Sequence, residues 1–144
     1  MKNVVIFING EFDFQELRSI VFSTLEERDA LYVLYQLPRV KLEAIPLIGD
    51  LKEIRFQKAR RKISEWFDSF GLANTSCYPL VYEKRIGIKQ LKDDLPKANE
   101  LTVIGSESQE EFLYQLFKPL TKELEVQYVI ERGDEGEELN IVTQ

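Results

Sequence analysis

The stretch LTVIGSESQEEF, residues 101–112, ends an apolar run on Gly105-Ser106 and passes at once into a polar, acidic segment that opens a helix. Two kinds of chemistry suit such a pair. Backbone N–H groups at a helix start can receive a phosphate, with glycine allowing close approach and the hydroxyl adding a donor. Alternatively, the serine simply satisfies the free N–H groups of the helix as a cap. Charge favours the cap. Glu107, Glu110 and Glu111 sit at or beside the helix start, where a carboxylate complements the helix dipole by roughly 0.3–1 kcal/mol and would repel a polyphosphate.

Other candidate groups are sparse. The chain has no histidine, which removes Ser-His-Asp and Cys-His nucleophilic systems, most zinc catalysis and the usual proton shuttle near neutral pH. Its single cysteine, Cys77, excludes an internal disulfide and any multi-cysteine zinc site, and with no activating partner in view it reads as a small hydrophobe. Asp93-Asp94 are neighbours on a short helix, where side chains point about 100° apart and do not converge. Glu11 and Asp13 could help hold Mg²⁺, as in receiver-like phospho-acceptor folds. Such a fold also needs an aspartate ending a later strand, and VYEKR offers only Glu83. Lys52, Arg55, Lys58, Arg60, Arg61 and Lys62 crowd one helical segment, with Arg55, Lys58 and Lys62 on a single stripe. That stripe is either a docking patch for an acidic partner or a solvated face paired locally with Glu53 and Glu65.

The elements that must carry these groups alternate. Val4–Ile8 (VVIFI) is a continuous apolar run closed by Asn9-Gly10, as expected of a strand buried on both faces. Asp13-x-x-Glu16 is a capping box, and Phe14, Leu17, Val21 and Leu25 predict a helix to about Arg28. ALYVLYQLP is a second strand halted by Pro38, and RVKLEAIPLIGD a long loop. Asp50 then caps a helix whose Phe56, Ala59, Ile63, Phe67 and Phe70 share one face, with Trp66 beside them and Gly71 as the stop. TSCYPLVYEK is a third strand, placed at a sheet edge by Pro79, which cannot donate to a ladder. GIKQLKDDLPK is a short helix and ELTVIG a fourth strand. Ser108-x-x-Glu111 caps the next helix, which Pro119 ends or kinks, and EVQYVIE is a fifth strand. An acidic tail, RGDEGEELNIVTQ, carries a candidate last strand at Leu139–Val142. The alternation implies one α/β domain over residues 1–132, an open parallel five-stranded sheet with helices on both faces, followed by the tail at 133–144.

The 144 residues suffice for one domain with a buried core. A net charge of −6 argues against sequence-independent nucleic-acid binding. No apolar run approaches the roughly 20 residues that span a bilayer, and the start lacks a secretory h-region, so neither a nucleic-acid nor a membrane partner is expected and a cytoplasmic location is.

Taken together, the element order, NVVIFING and ANELTVIGSES resemble the universal stress protein (Usp) domain over about residues 2–131. Asn9 stands where that family's first strand usually ends in aspartate. Ala98-Asn99 and Gly105-Ser106 align with its "AD-hydrophobic-GS" fourth strand. The resemblance implies strand order 3-2-1-4-5 and a ligand crevice between the first and fourth strands, hence a pocket near Asn9, Gly10, Gly105 and Ser106. It also implies a homodimer, with the last strand or the fifth-strand edge as its seam. ATP-binding members carry Gly-x2-Gly-x9-Gly-Ser/Thr after the fourth strand. Counted from Gly105, the second glycine position is Ser108 and the final pair is Lys118-Pro119, so only the first glycine is kept. The expectation is therefore a non-enzymatic, Usp-like regulatory or scaffold protein without a cofactor, working through protein contacts. The alternative is a regulator that binds ATP or another adenine nucleotide with an altered loop at Asn9, Gly10, Gly105 and Ser106.

Overall fold

A computed structural model describes residues 2–9, 14–38, 50–83, 85–131 and 139–143. Gly10, Glu11, Asp13, the 39–49 loop and most of the acidic tail lie outside the described residues. The elements are β1 (Asn3–Asn9), α1 (Phe14–Thr24), β2 (Ala30–Gln36), α2 (Asp50–Asp68), β3 (Ser76–Tyr82), α3 (Ile88–Asp94), β4 (Glu100–Ser106), α4 (Glu110–Phe117), β5 (Glu125–Glu131) and β6 (Leu139–Thr143).

Strands one to five form the expected open parallel sheet in the order β3-β2-β1-β4-β5. β1 lies at its centre because VVIFI has nothing polar to show on either face, and all five of those residues are buried. Alternate residues feed two cores. Val4, Ile6 and Ile8 join α1 and α2 on one face, while Val5 and Phe7 join α3 and α4 on the other. The α2 stripe buries Ala59, Ile63, Trp66 and Phe67, Phe70 is buried in the turn just past its end, and Gly71 follows with φ +64°, a left-handed conformation that favours glycine. β3 is the edge strand, with Pro79 beside Val33.

Three local readings change. α1 stops at Thr24 rather than near Arg28: the Ser23 and Thr24 hydroxyls turn back onto the Ile20 carbonyl, at 3.1 and 2.7 Å, and the Asp29 carboxylate takes the Glu26 N–H that a further helical turn would need. Leu25 is still buried, carried inward by the turn that Asp29 closes through the Glu26 N–H at 2.8 Å. The cap before α4 sits two residues earlier than Ser108: Ser106 and Gln109 form the capping box, and a 3-10 turn over Glu107–Gln109 leads into the helix. Finally, β6 forms, but it pairs antiparallel with β5 of its own chain, Gln127 opposite Thr143 through Glu131 opposite Leu139. The outer edge of the fifth strand is therefore covered in cis, and β6 is the sheet's edge.

Candidate functional site at the carboxyl end of the sheet

In open parallel sheets, ligands bind beyond the carboxyl ends of the strands, where neighbouring strands part. Here the parting lies between β1 and β4. Their pairing runs from Val4–Thr102 to Ile6–Ile104, whereas β1–β2 pairing continues to Asn9–Gln36 and β4–β5 pairing to Ser106–Glu131. The Gln109 side chain fills the gap. Its Nε2 donates to the Phe7 carbonyl at 2.8 Å, and its Oε1 accepts the Ser106 N–H at 3.1 Å. Gln109 is only 8% exposed, so its amide acts as a strut between the two strand ends.

Gly105 has a separate reason to be glycine. A Cβ there would overlap the Leu113 Cδ1 methyl, and the backbone is not in the left-handed region. Leu113 is fully buried, so its methyl would have to shift within the core. The glycine lets α4 lie close on β4, as helix–strand packing demands. The Ser106 hydroxyl meets that of Ser108 at 2.9 Å.

Two hollows flank the strut. The first lies in front of Ser106 and is lined by Ser106, Ser108 and three carboxylate residues, Glu16, Glu107 and Glu131. No cation lines it among the described residues, so a phosphate placed there would meet repulsion on several sides. The second is a cleft of about 650 Å³ over β1 and β2. Phe7, Leu37, Ile86 and Phe112 give it apolar walls, and the Phe7 and Phe112 rings pack with centroids 4.8 Å apart. Arg85 stands exposed among its lining residues.

The expected pocket residues are thus divided. Asn9 ends β1 and lines the apolar cleft, Gly105 is buried beneath Leu113, and Ser106 faces the acidic hollow. Gly10 lies outside the described residues. The basic stripe is divided as well. Arg55 is half-buried and donates to the Pro38 carbonyl at 2.6 Å, Lys62 stands 5.3 Å from the centre of the Phe14 ring, and Lys58 is exposed. None of the three is in an ion pair with Glu53 or Glu65 among the described residues.

Two side chains with nucleophilic or acid–base potential, Cys77 and Tyr82, have raised pKa values. Burial, with the charge of Asp68 adding to it, pushes the Cys77 thiol up to about 12, so it stays protonated near neutral pH. Burial also raises the Tyr82 phenol, and so does the 2.8 Å hydrogen bond it donates to Asp94. Asp94 in addition accepts from Gln90 at 2.9 Å. Among the described residues, no three Cys, Asp or Glu side chains gather as metal ligands, and no helix is long and apolar enough to cross a membrane.

Gln109 and Arg85 were not singled out from the sequence. Gln109 had a signal, since Ser106-x-x-Gln109 is itself a capping-box pattern; Arg85 had none. Set against protein-family models, curated proteins and solved structures, the chain matches none of them.

Proposed function

We propose that the chain is a non-enzymatic, Usp-like regulatory or scaffold protein that acts through protein contacts as a homodimer. The observation that carries this reading is the Gln109 strut. It occupies the parting of β1 and β4 where a nucleotide-binding member would seat its ligand, and the ground beside it is lined by Glu16, Glu107 and Glu131. A polyphosphate would have to displace a buried amide and then approach carboxylates.

The dimer seam is assigned to the outer edge of β6. The opposite edge strand, β3, carries Pro79, a residue that discourages strand addition. β6, Leu-Asn-Ile-Val-Thr, carries neither proline nor charge. Two copies of β6 joined about a two-fold axis would make one continuous sheet. The exposed Lys58 beside Lys62 on α2 is then left as the surface for an acidic partner.

The test combines light scattering on the eluting protein with calorimetric titration of ATP. The expected result is a dimer that Ile141→Lys converts to monomer, with no saturable heat from ATP. Saturable ATP binding would overturn the non-nucleotide reading, and a monomeric parent protein would overturn the dimer.

A further inference from the structure

The geometry points to the cleft over β1 and β2 as a binding site for a small organic monoanion with an apolar body, a carboxylate on an aromatic or aliphatic frame. Its volume, about 650 Å³, falls within the range of small-molecule sites, which are mostly apolar with a few convergent polar groups. Phe7, Leu37, Ile86 and Phe112 supply the apolar walls.

The sign of the ligand's charge follows from an accounting of the polar lining. Gln36 Nε2 is spent on the Tyr82 and Glu83 carbonyls, at 3.2 and 3.0 Å. Gln109 is spent on Phe7 and Ser106, and the Ser108 hydroxyl on that of Ser106. The Glu83 carboxylate is held by Lys52 at 2.9 Å. Asn9 is also engaged. Arg85 alone among these lining groups has neither hydrogen bond nor ion pair among the described residues. A guanidinium unpartnered beside an apolar cleft, in a chain of net charge −6, suits one planar anion, which it can grip with two parallel N–H bonds.

A polyphosphate fits poorly by the same accounting. No second cation lines the cleft among the described residues, and the Ser106 N–H is already taken by Gln109. Binding of such an anion requires neither a dimer nor a protein partner, so this site and the scaffold reading stand or fall separately.

The experiment is a titration of the full chain, followed by amide NMR, with 4-phenylbutyrate as the probe and 4-phenylbutanol, inorganic phosphate and ATP as comparators. The expected result is saturable shifts at Leu37, Ile86, Ser108 and Phe112 with the carboxylate. The alcohol and inorganic phosphate should bind more weakly. Arg85→Gln should weaken 4-phenylbutyrate by about tenfold or more, the loss expected of a charge-assisted contact. Because Arg85 is exposed and makes no hydrogen bond or ion pair among the described residues, its variant keeps the parent spectrum outside the cleft. Lys122→Gln, at an exposed lysine away from the cleft, is the control and leaves binding unchanged. Absence of saturable shifts, equal binding of the alcohol, unchanged affinity in Arg85→Gln, or tighter binding of ATP would each overturn the assignment.

Discussion

Replacing Gln109 with leucine tests whether that amide is a strut or a ligand group. Leucine keeps most of the volume and removes both hydrogen bonds. The Phe7 carbonyl, on a residue 7% exposed, then loses the 2.8 Å bond from Gln109. A buried polar group left unsatisfied costs about 1–3 kcal/mol. Ser106 is only half-buried, so water can partly replace the lost acceptor at its N–H, and its share belongs near the lower end. The two together predict a loss of about 2–4 kcal/mol. Trp66, the only tryptophan and a buried one, reports unfolding by fluorescence. With a urea slope of about 2 kcal/mol/M, the middle of the range for a small protein, the midpoint should fall by about 1–2 M at unchanged slope. Gln109→Glu sharpens the test. Its protonated form can reproduce both bonds, whereas its carboxylate would face the Phe7 carbonyl. The folded-state pKa of that glutamic acid is therefore raised, so its stability is full below about pH 4.3 and is lost as pH climbs through the folded value. A Gln109→Leu protein as stable as the parent would refute the strut.

Gly105→Ala should destabilise by about 1–3 kcal/mol through overpacking against Leu113. In Gly105→Ala/Leu113→Ala the methyl has room, so the double-mutant cycle should return a favourable coupling; strictly additive losses would show that the glycine serves something other than packing. Asp29, 3% exposed, is raised by its burial but held on balance below its ordinary pKa by the Lys2 and Glu26 N–H groups and the Lys2 ammonium, 2.8 Å away. Asp29→Asn should therefore cost about 1–3 kcal/mol near neutral pH. With the unfolded pKa near about 3.9, the stabilising term is present above that value and fades as pH falls through the folded one, so parent and variant urea midpoints should converge in acid. A gap that persists at low pH would assign the cost to packing instead.

The sheet was legible because its strands are short apolar runs separated by helical periods, and because Pro79 has only an edge to occupy. The α2 core face was legible for a related reason: Ala59, Ile63, Phe67 and Phe70 recur at helical spacing before a glycine. What stayed hidden depended on long-range contacts. The period that includes Leu25 does continue past Thr24, and only the hydroxyl bonds to Ile20 and the Asp29 turn show that the residue is buried outside the helix. Ser106-x-x-Gln109 and Ser108-x-x-Glu111 are both valid capping boxes by pattern. The choice is fixed by the bond from Gln109 to Phe7, a residue 102 positions away, which no local rule contains. Arg85 is conspicuous only once the partners of its neighbours are known.

The same two letters, Gly-Ser after a buried strand, suit a phosphate cradle or a packed helix start, and the neighbours decide between them. A cradle needs a glycine whose missing Cβ leaves space for a ligand, and free N–H groups aimed into that space. At Gly105 the space is taken by Leu113, and at Ser106 the N–H is taken by Gln109. Replacing Leu113 alone would open room but leave the N–H occupied; replacing Gln109 alone would free the N–H but leave it facing Glu107 and Glu131. Even the pair of changes would leave an acidic hollow. The Gly105-Ser106 junction therefore departs from a phosphate cradle in three respects: shape, hydrogen bonding and charge. No single substitution restores it.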